Sequence, residues 1–121
     1  MGSLTFDGVL IFCADVEAST RFYETTLGLQ RTGGGGDVIL HLPTKGDPKG
    51  AWLLLHPRTG QQAPHPIGTF TVDDVGATIE TLRAAGYRIT EEPTDQPWGV
   101  REAGVADPDG YGLTLTAPLR P

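Results

Sequence analysis

Apolar positions along the chain alternate between two periods, and each change of period marks an element boundary. Phe6 to Cys13 is apolar and β-prone, which predicts a first strand. Alternation puts Val9, Ile11 and Cys13 on one side of it and Gly8, Leu10 and Phe12 on the other. Helical spacing then takes over at Val16, Thr20, Tyr23 and Leu27. Asp15 is placed to cap this helix, because its carboxylate accepts the unpaired N–H groups of a first turn, and Gly28 is its stop. Leu29 to Arg31 predicts a short strand. Gly33 to Gly36 predicts a flexible turn, without the lysine and helix start of a phosphate loop. Asp37 to Leu42 and Ala51 to His56 predict two strands joined by a turn around Asp47-Pro48-Lys49-Gly50.

The same layout then recurs. Ile67 to Val72 predicts a strand, Asp74 the helix cap (with Asp73 as competitor), and Val75, Ile79 and Leu82 the buried helix stripe ending at Gly86. Tyr87 to Thr90, Val100 to Ala106 and Gly112 to Thr116 predict strands, the last two joined by an Asp107-Pro108-Asp109-Gly110 turn. Residues match as well as elements. Asp47-Pro48, Gly50, Leu53 and Leu55 align with Asp107-Pro108, Gly110, Leu113 and Leu115, and Asp15-Val16 with Ala18 aligns with Asp74-Val75 and Ala77. Two matches in the same order indicate a duplicated unit of about 60 residues. The expected fold is therefore α+β: two tandem βαβββ modules, about 1–58 and 66–121, joined by a linker over about 59–65. The expected product is one domain, with a curved mixed sheet and helices on its outer face.

Composition narrows the function classes. Seventeen glycines and ten prolines in 121 residues suit a turn-rich sheet. No apolar run reaches the roughly 20 residues of a membrane span, and the first residues lack the basic start and cleavage site of a signal peptide. With a single cysteine, Cys13, no internal disulfide framework is available, and a cytoplasmic location is expected. Nine basic against fifteen acidic residues give a net charge of −6, with no basic run, so neither a nucleic-acid nor a membrane partner is expected.

The chain resembles the vicinal oxygen chelate superfamily, which includes glyoxalase I, bleomycin-resistance proteins, extradiol dioxygenases and fosfomycin-resistance enzymes. The resemblance rests on Asp15 to Leu29 with Phe22-Tyr23 and Leu27-Gly28-Leu29, on Phe70 to Val75, and on Pro97-Trp98-Gly99-Val100-Arg101 leading into Asp107 to Tyr111. It implies a cleft formed by paired modules. In the family's enzymes a divalent metal sits there, bound by His, Gln or Glu from the first and fourth strand of each module. Carried across, those positions fall on Gly8, Leu54, Ile67 and Thr114, three of which have no side-chain donor. No metal and no cofactor are therefore expected. His56, two residues past the expected position, is an alternative ligand, and His41 and His65 are left as histidines of no assigned role.

Alternation gives the expected cleft lining: Gly8, Leu10 and Phe12, then Trp52, Leu54 and His56, then Ile67, Thr69 and Thr71, then Gly112, Thr114 and Thr116. Such a largely apolar lining suits an organic ligand oriented by a few polar groups. Cys13 falls on the helix side as a buried small hydrophobe. Glu102 is either a base in the cleft or a surface acid, and Arg101 either meets a ligand oxygen or pairs with Asp107. Trp98 lies in a Gln-Pro-Trp-Gly loop. The resemblance implies that it lines a drug-clasping crevice, against the alternative that it plugs the sheet end or a dimer interface. The expectation is a metal-free, bleomycin-resistance-like homodimer that binds and sequesters a small natural product, with no catalytic residue assigned. The alternative is a lyase, isomerase or dioxygenase of the same superfamily with a displaced or absent metal site.

Overall fold

The computed structural model describes residues 6–33, 37–58, 60 and 63–119. Two compact units divide the chain, Met1–Gln62 and Ala63–Pro121. In the first unit the elements are β1 (Gly8–Cys13), α1 (Val16–Thr20), a π-helical continuation (Arg21–Thr26), β2 (Gln30–Gly33), β3 (Val38–Thr44) and β4 (Asp47–Pro57). The second unit runs β5 (Pro66–Thr71), α2 (Val75–Ala84), β6 (Arg88–Asp95), β7 (Val100–Ala106) and β8 (Gly112–Pro118). Each unit folds as a four-stranded mixed sheet, in the order β1-β4-β3-β2 or β5-β8-β7-β6. The first and fourth strands of each module run parallel, and the other pairs antiparallel. The βαβββ repeat read from the sequence is the observed architecture.

Period-two burial sets the two faces of each sheet. Along β4, Ala51, Leu53 and Leu55 are buried while Trp52, Leu54 and His56 are half-buried. Along β8 the buried set is Leu113, Leu115 and Ala117, with Gly112, Thr114 and Thr116 half-buried. The buried faces form the cores. In the first unit Ile11, Cys13, Leu40, Leu53 and Leu55 are buried, as are Phe22 and Tyr23; in the second, Val105, Leu113 and Leu115 are buried, as are Val75, Ile79 and Leu82 of α2. Cys13 is buried, on the face expected for it.

Both caps form. Asp15 accepts from the N–H groups of Glu17 and Ala18 at 3.0 and 3.2 Å, and Asp74 from that of Ala77 at 3.0 Å. Gly28 and Gly86, at φ +83° and +92°, end the helical segments in the left-handed conformation that glycine adopts without strain.

Three local expectations change. The first helix is not α throughout: after Thr20 it widens, with Leu27 N–H donating to Phe22 O over five residues at 3.1 Å. The wider turn buries the consecutive residues Phe22 and Tyr23 together, edge to face at 4.7 Å, which a 3.6-residue stripe does not anticipate. The first module's turn lies at Lys45-Gly46, between the paired Thr44 and Asp47, because Gly46 at φ +85° closes a two-residue loop. Asp47 to Gly50 therefore opens β4 rather than making the turn, and Gly50 sits against the Leu42–Thr44 irregularity, where a Cβ would strike backbone. Several strands are also displaced from their expected limits. β1 starts at Gly8 with Phe6 exposed, β2 starts at Gln30, β6 runs on to Asp95 and β8 to Pro118. Of the expected Gly33 to Gly36 turn, Gly33 ends β2, while residues 34–36 and linker residues 59, 61 and 62 lie outside the described residues.

The Asp107 turn does form. Its buried carboxylate accepts from the Asp109 and Tyr111 N–H groups, both at 2.9 Å, and Gly110 takes φ +96°. Among the described residues no helix is long and apolar enough to cross a membrane. The caps give a direct check. Asp15→Ala and Asp74→Ala are each expected to lower unfolding free energy by ~1 kcal/mol in denaturant titrations, while Asp73→Ala stays within about 0.5 kcal/mol of wild type.

Candidate functional site

Strand register arranges the half-buried face of the first sheet in three rows. Gly8, Trp52, His41 and Gln30 form one row, Leu10, Leu54 and Ile39 the next, and Phe12 and His56 the third. Asp37, immediately before Val38, which pairs with Leu55, reaches the third row from β3, with its Oδ1 3.9 Å from His56 Nε2. The Phe12 and His56 rings meet edge to face at 5.7 Å. His56 Nδ1 lies 2.7 Å from the carbonyl oxygen of Pro57. A carbonyl only accepts, so Nδ1 carries the proton and donates. The five residues expected from this unit, Leu10, Phe12, Trp52, Leu54 and His56, thus share one face. Ile39, His41 and Asp37 join them, and sequence reasoning missed that role because it depends on the β3–β4 register.

The corresponding face of the second sheet is built differently. Its rows are Pro66, Gly112, Ala106 and Arg88; then Thr69, Thr114, Gly104 and Glu91; then Thr71, Thr116, Glu102 and Thr94. Small residues and hydroxyls replace the aromatics, and Glu102 is the carboxylate beside Thr116. Thr69, Thr114 and Glu102 therefore share a face. Arg101 does not: it pairs with Ala117 on the opposite side and binds Asp95, Nε to Oδ1 at 2.6 Å. That hydrogen bond holds the Asp95 carboxyl below the usual carboxylate range and raises the guanidinium. Arg101 thus pairs with Asp95, not with Asp107 as one of the two expectations had it. Trp98 stands at the β6–β7 turn, 66% exposed, where the Gln96 N–H donates to Val100 O at 2.8 Å and Gly99 takes φ +91°. His65 lies elsewhere in that unit, edge to face with Tyr111 at 5.2 Å. An open depression of about 400 Å³ between the α2–β6 and β7–β8 connections, lined by Tyr87, Arg88 and Asp107 to Gly110, contains none of the expected site residues.

Residues 5–115 match the sequence profile of the Glyoxalase/Bleomycin resistance protein/Dioxygenase superfamily. The chain belongs to this superfamily. Among its curated relatives, the anthracycline biosynthesis protein DauV of Streptomyces sp. (strain C5) is 33% identical over 84% of the chain. The chain spans only 37% of that protein's length. A probable lactoylglutathione lyase of Vibrio parahaemolyticus is 31% identical, with 84% of this chain and 81% of that one covered. The crystal structure of a glyoxalase/bleomycin resistance protein/dioxygenase from Nocardioides superposes with a TM-score of 0.73, at 21% identity, over 99% of this chain and 87% of that one.

Superfamily membership raises the question of a divalent metal, and the residues here do not fit one. The four corresponding positions, Gly8 in β1, Leu54 in β4, Ile67 in β5 and Thr114 in β8, offer a single neutral hydroxyl between them. The first is also sterically closed. A Cβ on Gly8 would run into the Trp52 carbonyl and come within 2.5 Å of the indole Cε3. No side chain enters there without moving Trp52. Among the described residues, no three His, Cys, Asp or Glu side chains stand close enough together to share an ion. Replacing Gly8 tests this packing. Gly8→Ala is expected to destabilise the protein by about 1–3 kcal/mol in thermal or denaturant melts and to red-shift the Trp52 emission as the indole is displaced.

Proposed function

We propose that this protein binds and sequesters a small, flat, partly apolar natural product, without a metal, as a cytoplasmic homodimer. The observation that carries the reading is the Trp52 indole lying against Gly8, at a position where the superfamily's enzymes place a metal ligand. An indole there offers stacking area in place of Lewis acidity, with Leu10, Phe12, Leu54 and His56 on the same face. The likeness to an anthracycline biosynthesis protein supports a polycyclic aromatic ligand. Trp98, two-thirds exposed on its turn, is a second indole available to such a ligand. The second unit's open face offers Thr69, Thr114 and Glu102 as further proposed contacts, whereas Arg101, turned to the opposite side and bound to Asp95, is the least favoured of the candidates.

A second reading, a lyase or isomerase, draws on the likeness to a probable lactoylglutathione lyase and on Glu102 beside the threonine hydroxyls of the second sheet. The two readings separate on metal and on turnover. Tag-free protein is expected to carry no stoichiometric divalent ion by plasma mass spectrometry, and a chelator to leave its melting temperature unchanged. Near-unit zinc, nickel, manganese or iron, or lactoylglutathione lyase turnover restored by such an ion, favours the enzyme.

Ligand binding is read by tryptophan fluorescence. Titration with bleomycin-like, mitomycin-like and enediyne-like compounds is expected to quench the wild type, and Trp98→Ala or Trp52→Ala to weaken binding by ~0.5–2 kcal/mol, roughly 2- to 30-fold. Unchanged affinity in both variants places the site elsewhere. Light scattering is expected to give twice the 12.9 kDa chain mass, and a monomer mass contradicts the dimer.

A further inference from the structure

The polar end of the first unit's open face carries more information than its apolar floor. His56 donates through Nδ1 to Pro57 O at 2.7 Å, so the tautomer of the neutral ring is set and Nε2 presents a lone pair. Asp37 Oδ1 stands 3.9 Å from Nε2, beyond hydrogen-bond distance, and both side chains are 37% exposed. Two acceptors at that spacing leave room for one donor centre about 2.8 Å from each, provided that centre carries at least two protons. A hydroxyl has only one. A protonated amine has enough, and its charge complements the Asp37 carboxylate and the net charge of −6. The Phe12 ring, edge to face with His56, makes the third wall of this corner.

The floor fixes the rest of the ligand. His56 and Trp52 are four residues apart on β4, about 13 Å along the strand, with Leu54 and Leu10 between them. A fused aromatic system of three or more rings, joined by a one-carbon arm to its ammonium, reaches from the acceptor pair across Leu54 and Leu10 toward the indole. We propose that this face selects planar polycyclic aromatics bearing an ammonium group, clasped between His56 Nε2 and the Asp37 carboxylate with the rings lying on Leu10, Leu54 and Trp52. The proposal rests on the ligand-binding reading above and adds the charge and placement of the ligand's polar group.

Three matched probes test it: 2-(aminomethyl)anthracene, 2-anthracenemethanol and 2-anthracenecarboxylate, titrated into the full chain by calorimetry. The amine is expected to bind at least about fivefold tighter than the alcohol, and the carboxylate weakest. Asp37→Asn is expected to bring amine and alcohol within about twofold while leaving the alcohol's affinity unchanged, which also shows that the variant is folded. His56→Phe, which keeps an aromatic edge but removes the acceptor, is expected to reduce the amine preference in the same way. Equal binding of all three probes, a preference for the carboxylate, or an amine preference that survives Asp37→Asn overturns the proposal and leaves the broader reading standing. If no anthracene binds while a flat drug quenches tryptophan fluorescence, the proposal alone falls. If neither binds, both fall.

Discussion

The contact between Gly8 and Trp52 is the constraint on which the first unit's chemistry depends. β1 and β4 are parallel neighbours, and only a residue without a Cβ lets the Trp52 carbonyl and indole lie where they do. The consequence is both steric and chemical. A strand position that a metal enzyme uses for an imidazole or carboxylate is closed by an aromatic plane, and the row beside it, Leu10, Leu54 and Ile39, contains no donor. Such a face offers a ligand area and stacking, with polar groups at its two ends, His41 and Gln30 beside Trp52 and the His56–Asp37 corner opposite.

The duplicated units share a backbone and differ in what they display. Both use an aspartate cap, a glycine stop and a parallel β1–β4 or β5–β8 pair, and both bury alternate residues of the fourth strand. On the open face the first unit carries Trp52, Phe12 and His56, where the second carries glycines, threonines and Glu102. Architecture is thus held by one set of positions and chemistry by the interleaved set. Period two lets the two sets vary separately, because alternate side chains point to opposite faces. The fold accordingly places the chain in a superfamily without determining its activity.

The repeat was legible in the sequence because caps, stops and alternation are local signals. Asp15, Asp74, Gly28, Gly86 and the β4 and β8 patterns each act within a few residues. Features that depend on a partner strand or on a competing turn were not legible. The Lys45-Gly46 loop outcompetes the Asp47-Pro48-Lys49-Gly50 sequence, even though the equivalent motif at Asp107 does turn. The π-helical winding that buries Phe22 beside Tyr23 has no sequence period of its own. Parity within β1 and β4 put Leu10, Phe12, Trp52, Leu54 and His56 together correctly. Asp37 and His41 reach that face only through cross-strand register, whereas Arg101 turns away from Thr114 because it alternates with Glu102 along β7.

The central claim is that an aromatic floor, and no metal, provides the binding chemistry. Its most direct test is calorimetric titration of one tight-binding planar ligand into chelator-treated protein, repeated after adding zinc, nickel or manganese. The account predicts the same affinity and enthalpy in every titration. Affinity that vanishes in chelator and returns with one particular ion would contradict it.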